Sequence, residues 1–353
     1  MWQVVGQNKA VSLLQRSLEL GKVSHAYLFI GPPHVGKMTL AINLAQAMNC
    51  QADERPCGEC ISCQKISSVG HSDVRVIGLI PNENTSDSKM RTEIGIDQII
   101  EIQHAASLPP FEGEYKIFIV EGAELLSNEA ANCLLKTLEE PTGNVIFILL
   151  ASNESLLPVT VVSRCQRLEL LPMVVGGVEN ALKEGLNIES SRTRLLARFS
   201  HGCLGWALLA ASDDGLLKRH EEETDRLIGI INADYNERFI SAARLAAQFS
   251  RNRSQVQEVL DLWLDFWRDL LLVKLDCRDI ITNIDRLDAL VDMAGNYSLA
   301  QIQASINSIR MAGVQLRQNA NPRLALEVMM LDLPGKESSG RGIPAGRLLV
   351  KNE

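Results

Sequence analysis

The sequence of 353 residues lacks two features that would assign it to common functional classes. It has no run of about 20 apolar residues, which a helix needs to cross a bilayer, and Met1-Trp2-Gln3 does not open a signal peptide. It also lacks an excess of positive charge, since 35 Lys and Arg against 43 Asp and Glu give a net charge of −8. We therefore predict a cytoplasmic protein with no membrane segment, whose main surface does not grip nucleic acid.

A phosphate-binding loop is predicted near the start of the chain. The β-rich apolar run Ala26–Ile30 predicts a buried strand, and the letters GPPHVGK that follow it lead into a predicted helix over 37–49. In such a loop Gly31 and Gly36 let backbone amides approach phosphate oxygens, and Lys37 supplies positive charge. The strand before the motif and the helix after it are the context that the motif requires.

The loop departs from the nucleotide-binding pattern at the residue after the lysine. That position normally carries Ser or Thr, whose hydroxyl holds Mg²⁺, and here it is Met38. A thioether is a soft ligand, whereas Mg²⁺ prefers hard oxygen, and Thr39 comes one residue late. Two alternatives follow: a degenerate ATP and Mg²⁺ site, or a vestigial loop that only connects strand to helix.

A second nucleotide motif is also incomplete. The run Lys116–Val120 predicts a buried strand, which in P-loop ATPases ends in a carboxylate for Mg²⁺ and, in the AAA+ branch, a second acid that polarises water. The two positions here are Glu121 and Gly122. Glu121 offers an indirect contact to a metal, but Gly122 has no side chain with which to activate water. The sequence therefore predicts a chain that is not an independent ATPase.

Half of the eight cysteines form a compact group. Cys50, Cys57, Cys60 and Cys63 are spaced C-x6-C-x2-C-x2-C, and Gly58 between them allows a tight knuckle turn. This spacing favours a structural Zn²⁺ site with four thiolate ligands. The alternatives are reduced loop cysteines or two disulfides. The remaining cysteines, at 133, 165, 203 and 277, are scattered and are interpreted as small buried apolar residues.

A helix is predicted between Ser127, as its cap, and Pro141, as its stop, with Lys136, Glu139 and Glu140 on the exposed side.

Taken together, the motifs resemble bacterial clamp-loader subunits, a family of AAA+ proteins. The resemblance is dense over residues 1 to about 172. It is carried by VGQ at 5–7, SHAYLF at 24–29, the cysteine knuckle, EG at 112–113 before YK at 115–116, ANCLLKTLEEP at 131–141 and SRCQ at 163–166.

The resemblance implies a role for Arg164. In this family the arginine of the SRC motif reaches the ATP site of the next subunit, where a guanidinium stabilises charge that develops on the γ-phosphate. The alternative is an ordinary exposed arginine near a strand, without this role. Family members place a phosphate sensor near Asn153, and motor members carry an arginine where this chain has none between 202 and 208. That absence is a further defect in the chain's own ATP machinery.

The family also implies partners and a domain order. Gamma/tau-type and delta-type subunits would complete a heteropentamer that places a sliding clamp on primed DNA. We expect an α/β AAA+ core over 1–172 with the knuckle at 50–63, a helical lid over 173–211 and an all-α collar over 212–332. A flexible tail is expected over 333–353, and a mobile loop over 81–93.

Three functions remain open on the sequence. The favoured one is a ring subunit that donates Arg164 to a neighbour. The second is an active motor of the gamma/tau type in which Thr39 and Glu121 restore metal binding. The third is an adaptor outside any ring, which uses an inactive ATPase fold and the zinc knuckle only for binding. The aromatic cluster Trp263, Phe266 and Trp267 is interpreted as helix-bundle core and not as a base-stacking surface.

Overall fold

In the computed structural model the described residues are 2–79, 93–141, 143–186, 188–318 and 320–335. The chain divides into two compact units, with the boundary between Leu209 and Ala210. The loop predicted over 81–93 lies outside the described residues except for its last residue. The tail predicted over 333–353 lies outside them from residue 336 onwards.

The first unit is built on a parallel sheet of five strands in the order β2-β3-β4-β1-β5. The strands are β1 (Ala26–Ile30), β2 (Val74–Ile77), β3 (Lys116–Glu121), β4 (Val145–Ala151) and β5 (Gln166–Glu169). Because all five run the same way, their last residues share one edge, here called the carboxyl edge. Their first residues share the opposite, amino edge.

Both faces of the sheet are covered, as predicted. In β3 and β4 successive side chains point to opposite faces, and every residue of β4 is buried. Ile117 and Ile148 pack into a core that includes helix α2 (Lys37–Asn49), whereas Phe118 and Phe147 stack in the other core at a centroid distance of 5.3 Å. The predicted α/β architecture of this region is confirmed.

The helices of the first unit surround the sheet and continue beyond it. They are α1 (Asn8–Glu19), α2 (Lys37–Asn49), α3 (Ile61–Ser67), α4 (Ile96–Ser107), α5 (Asn128–Glu139), α6 (Val159–Val162), α7 (Val175–Gly185) and α8 (Ser190–Phe199), followed by α9 (Leu204–Ser212), which contains the boundary. Ser127 caps α5 as predicted, since its side chain accepts a hydrogen bond from the Ala130 amide.

The second unit is all helical, as predicted. Its helices are α10 (Asp214–Asn232), α11 (Tyr235–Arg251), α12 (Arg253–Lys274), α13 (Leu287–Asn296), α14 (Leu299–Arg317) and α15 (Pro322–Asp332). Trp263, Phe266 and Trp267 of α12 lie at the centre of its core with at most 1% of their surface exposed, which confirms that they are packing residues. Among the described residues no helix is both long and apolar enough to cross a membrane.

A buried arginine joins two helix ends within the second unit. The guanidinium of Arg238 on α11 is 1% exposed and donates to the carbonyl oxygens of residues at the C-terminal ends of α10 and α15. The acceptors are Ile230 (3.1 Å), Ile231 (2.8 Å), Met330 (3.2 Å), Leu333 (2.6 Å) and Pro334 (3.0 Å). A cation at helix C-termini satisfies carbonyls that have no partner within the helix. Leu333 and Pro334, which the sequence assigned to the tail, are thus held against the bundle.

Candidate functional site

The phosphate loop joins β1 to α2 at the carboxyl edge of the sheet, as the motif requires. Gly36 caps α2 with φ +106°, a left-handed conformation that favours glycine. The Lys37 ammonium is turned back onto the loop, where Nζ donates to the carbonyl oxygens of Gly31 at 2.5 Å and Pro32 at 2.8 Å. The charge that would meet a phosphate is therefore engaged by the loop's own backbone.

Residues distant in sequence also hold the loop. Gln7 Nε2 donates to the Val35 carbonyl at 3.5 Å and to the Leu171 carbonyl at 2.8 Å. From the start of α9, the Gly205 amide donates to the His34 carbonyl at 3.0 Å. The stretch 202–208, which has no arginine, thus contacts the loop through backbone and not through a charged side chain.

The first turn of α2 has no hydroxyl at the position that normally holds Mg²⁺. Met38 is half-buried and packs against the core on that face of the sheet, and Thr39 is exposed. Consecutive helix residues point about 100° apart, so Thr39 does not replace a hydroxyl at position 38.

The acidic residues near the end of β3 include one that the sequence analysis did not name. Glu121 is exposed at the carboxyl edge, and Gly122 adopts a left-handed φ of +67°. A residue that the sequence reasoning missed, Glu124, accepts hydrogen bonds from the Ser152 amide at 2.9 Å and from the Ser152 hydroxyl. Its other oxygen is buried and has no hydrogen-bond partner in the described part of the chain. Its position three residues after Glu121, in the turn that follows the strand, was the only sequence signal.

The electrostatic surroundings of Lys37 follow from this geometry. Burial lowers the pKa of Lys37, and the negative charges of Glu124, Cys203 and Glu121 oppose that decrease in part. Among the carboxylates, Glu124 has the largest effect. Protein carboxylates thus partly balance the lysine where a phosphate would otherwise do so.

Asn153, the predicted phosphate sensor, has a local structural role. Its side-chain oxygen accepts from the Ser155 amide at 2.9 Å and from the Ser155 hydroxyl at 2.8 Å, and so caps the 3-10 turn Glu154–Leu156. Ser152, one residue earlier, is the polar residue that contacts an acid near the phosphate loop.

The four knuckle cysteines come together as predicted. Their sulfur atoms all lie within 4.8 Å of one another, with Cys50 Sγ 3.5 Å from Cys57 Sγ and Cys57 Sγ 3.9 Å from Cys63 Sγ. None of them is disulfide-bonded, so the two-disulfide alternative is wrong. Zn–S bonds of about 2.3 Å in a tetrahedron separate the sulfurs by about 3.8 Å, which these distances fit.

The backbone of the knuckle also suits thiolate ligands. Gly58 has φ +80°, the turn that the sequence predicted. The amides of Cys57, Cys60 and Cys63 point at the sulfurs of Cys50, Cys57 and Cys60 at 3.3–3.5 Å. Amide donors stabilise negative charge on sulfur, and the first-turn amide of α3 contributes one of them. The four thiol groups can hold a metal ion.

Arg164 lies far from the phosphate loop of its own chain. It follows α6 and precedes β5 by two residues, which puts it at the amino edge of the sheet. The loop lies beyond the other end of β1, which pairs in register with β5 from Tyr27↔Gln166 to Ile30↔Glu169. Four residues of strand span about 13 Å. Arg164 and the phosphate loop therefore lie at opposite edges of the sheet.

The surroundings of Arg164 include Glu139, which the sequence placed on the exposed side of α5. Arg164 Nη2 donates to Glu139 Oε1 at 2.6 Å, and Nη1 donates to the Thr160 carbonyl at 2.9 Å. The side chains of the pair are 35% and 50% exposed, so solvent and a partner molecule can reach the guanidinium.

Comparison with known proteins agrees with this architecture. The family described as "DNA polymerase III, delta subunit" matches residues 6–174, and "DNA polymerase III, delta subunit, C terminal" matches residues 229–334. The first match covers the sheet with both nucleotide motifs and Arg164, and the second covers most of the helical unit.

The individual relatives include subunits of bacterial DNA polymerase III. The chain is 32% identical to DNA polymerase III subunit tau of Salmonella typhimurium over 73% of this chain and 38% of that protein. It is 26% identical to DNA polymerase III subunit delta' of Bacillus subtilis over 93% of this chain and 96% of that protein. A crystal structure of a gamma subunit-related protein from Thermotoga maritima is 20% identical, with a TM-score of 0.44 over 90% of this chain and 97% of that chain. The chain spans less than two thirds of the length of the tau relatives that it matches. It belongs to the clamp-loader family of DNA polymerase III.

Proposed function

We propose that this chain is the delta-prime, stator-like subunit of a DNA polymerase III clamp loader. In this role it joins gamma/tau and delta subunits in a heteropentamer in the cytoplasm. It contributes Arg164 to a neighbour's ATP site and so helps to place the sliding clamp on primed DNA. The chain is not an independent ATPase.

The observation that carries the proposal is the separation of Arg164 from its own phosphate loop. A half-exposed guanidinium at the amino edge of the sheet is free to meet a ligand held by another chain. A guanidinium placed on a γ-phosphate stabilises the charge that develops in phosphoryl transfer. The incomplete local site supports the same role, because Met38 and Gly122 leave water and Mg²⁺ without their usual partners. The full-length match to a delta' protein supports it further.

The helical unit and the knuckle have structural roles in this proposal. The all-α unit with its core of Trp263 and Trp267 supplies contacts that assemble the ring. The four knuckle cysteines hold one Zn²⁺, which ties the segment between α2 and α3 without an open coordination position for catalysis.

The test is ATP turnover by a reconstituted loader, stimulated by clamp and primed DNA. Arg164→Ala is expected to abolish hydrolysis at the single site it serves, because a trans arginine is worth about 10³ or more there, and so to lower total turnover by the share of that site. Arg167→Ala is the matched control, since Arg167 is exposed, lies three residues away and pairs with Glu154. The chain alone is expected to show no turnover.

Other outcomes identify the alternatives. If the chain alone hydrolyses ATP and Lys37→Ala abolishes this activity, the chain is an active motor of the gamma/tau type, the alternative that the tau relatives favour. If the chain stays monomeric with gamma/tau and delta subunits and neither arginine matters, it is an adaptor outside the ring.

A further inference from the structure

Glu139 is the only carboxylate bonded to Arg164 among the described residues. Its Oε1 lies 2.6 Å from Arg164 Nη2, while Arg164 Nη1 is fixed 2.9 Å from the Thr160 carbonyl and 3.4 Å from the Ser163 hydroxyl. Two elements thus hold the guanidinium, the end of α5 and the end of α6.

The end of α5 is a firm support for this contact. Glu139 is the last residue of α5, and the residue before it, Leu138, is 2% exposed. The Leu138 carbonyl lies 3.1 Å from Nε2 of His25, which directly precedes β1. The carboxylate is therefore fixed relative to the amino edge of the sheet.

Helix stability does not explain an acid at this position. The C-terminus of a helix carries partial negative charge, so a carboxylate there is unfavourable. Glu140 beside it is also exposed, and its side chain has no hydrogen bond or ion pair within the part of the chain that the structure describes. Of these two acids, Glu139 alone contacts Arg164.

The contact leaves the arginine able to bind an anion. A guanidinium has five N–H donors, and the described bonds use only part of the two Nη groups. A free arginine side chain loses rotamer entropy when it is fixed. Ordering it beforehand on Glu139 and Thr160 reduces that loss at the moment of reaction.

We propose that Glu139 is a positioning residue for Arg164: it holds the guanidinium at the amino edge in the orientation in which it meets the phosphate of a neighbouring subunit. This inference rests on the proposed function, because it assumes that Arg164 acts in trans. Glu139 itself does not touch the nucleotide.

The experiment uses the same reconstituted loader and compares the turnover that depends on Arg164, that is, the difference between wild type and Arg164→Ala. Glu139→Ala should lower this part of kcat about fivefold with an unchanged KM for ATP, because a positioned group acts in the transition state and not in ground-state binding. Glu139→Gln keeps an oxygen that accepts from Nη2, and it should restore at least about half of the loss. Glu140→Ala is the matched control and should behave as wild type.

A double mutant separates positioning from a general effect on assembly. In the Arg164→Ala background, Glu139→Ala should cause no further loss, since its effect passes through the arginine. An equal additional loss in that background would overturn the inference, as would wild-type turnover of Glu139→Ala. If Arg164→Ala itself has no effect, the proposed function fails and the inference fails with it. A loss in Arg164→Ala without one in Glu139→Ala removes the inference alone.

Discussion

The Nζ atom of Lys37 donates a hydrogen bond of 2.8 Å to the carbonyl oxygen of Pro32. A lysine that binds a phosphate must leave this contact and the one to Gly31. In a complete site, Mg²⁺ and its ligands would favour that change, but Met38 does not supply the hydroxyl that holds the ion. The Lys37 ammonium is therefore hydrogen-bonded to backbone carbonyls of the phosphate loop itself.

The first prediction concerns this lysine. Lys37→Ala should leave the stimulated turnover of the assembled loader unchanged, because the lysine charge is already engaged and partly balanced by Glu124. The measurement is steady-state ATP hydrolysis, with Arg164→Ala as the variant that does lower it. A loss in Lys37→Ala as large as that in Arg164→Ala would show that this chain binds and uses nucleotide.

The second prediction concerns the cysteine knuckle. The purified chain should contain about one zinc ion, and Cys63→Ser should lose it, because Cys63 is a buried member of the cluster. Metal content is measured by elemental analysis after dialysis. Cys277→Ser is the control, since Cys277 is exposed and remote from the cluster in sequence. The exposure of Cys277 also shows that its interpretation as a buried residue was wrong.

Removing the ion should affect the chain locally. A strong chelator is expected to increase proteolysis between 50 and 63, since folding of such a knuckle depends on its metal. A metal-free wild-type chain that resists proteolysis there would contradict a structural metal.

The third prediction concerns the second unit. Arg238→Met should lower its free energy of unfolding by about 3 kcal/mol, because buried carbonyl groups at the ends of α10 and α15 lose their donors. Urea unfolding followed by tryptophan fluorescence measures this change, since Trp263 and Trp267 lie in the core of that unit. Arg244→Met is the control on the exposed side of the same helix. Equal losses in both variants would exclude a special role for the buried guanidinium.

The fourth prediction concerns pH. The hydrogen bond from Lys65 at 2.5 Å, together with the Ser72 amide at 3.0 Å, lowers the pKa of Glu112 from 4.5 to about 2. A carboxylate whose pKa is lowered by folding stabilises the folded state fully above about pH 4.5. That stabilisation is lost as the pH falls toward about 2.

The variant that tests it is Glu112→Gln. Its stability deficit against wild type, from urea midpoints, should be constant between about pH 7 and 5 and should shrink below about pH 4.5. Glu114→Gln is the control, because Glu114 is exposed and lies 4.0 Å from Arg55. A deficit that grows with acid would reverse the sign and exclude this carboxylate as the cause.

The sequence predicted the local elements well where the apolar pattern agrees with the residues that begin and end an element. The strand Ala26–Ile30, the helix Lys37–Asn49 and the cap at Ser127 lie where they were predicted, because apolar runs, the phosphate-loop motif and a capping serine act over a few residues. The knuckle was predictable for the same reason, since four cysteines within 14 residues can reach one ion whatever the rest of the fold does.

Contacts between distant residues were not predictable in this way. Glu124 with Ser152, and Glu139 with Arg164, are 28 and 25 residues apart, and neither pair has a fixed spacing that signals it. Arg238 was equally hidden, because an arginine in an amphipathic helix is ordinarily exposed. Its burial depends on the end of α10, 7 to 8 residues away, and on the end of α15, which lies 92 to 96 residues away along the chain.

By itself, therefore, the sequence determined the strand and helix pattern, the missing hydroxyl at Met38, the missing acid at Gly122 and the four sulfur ligands. These depend on residue type and on spacing along the chain. Only the tertiary structure decided that Lys37 is bonded to its own loop and that Arg164 lies at the opposite edge of the sheet, held by Glu139. The order and direction of the strands set those relationships, and they arise when the whole sheet packs between its two cores.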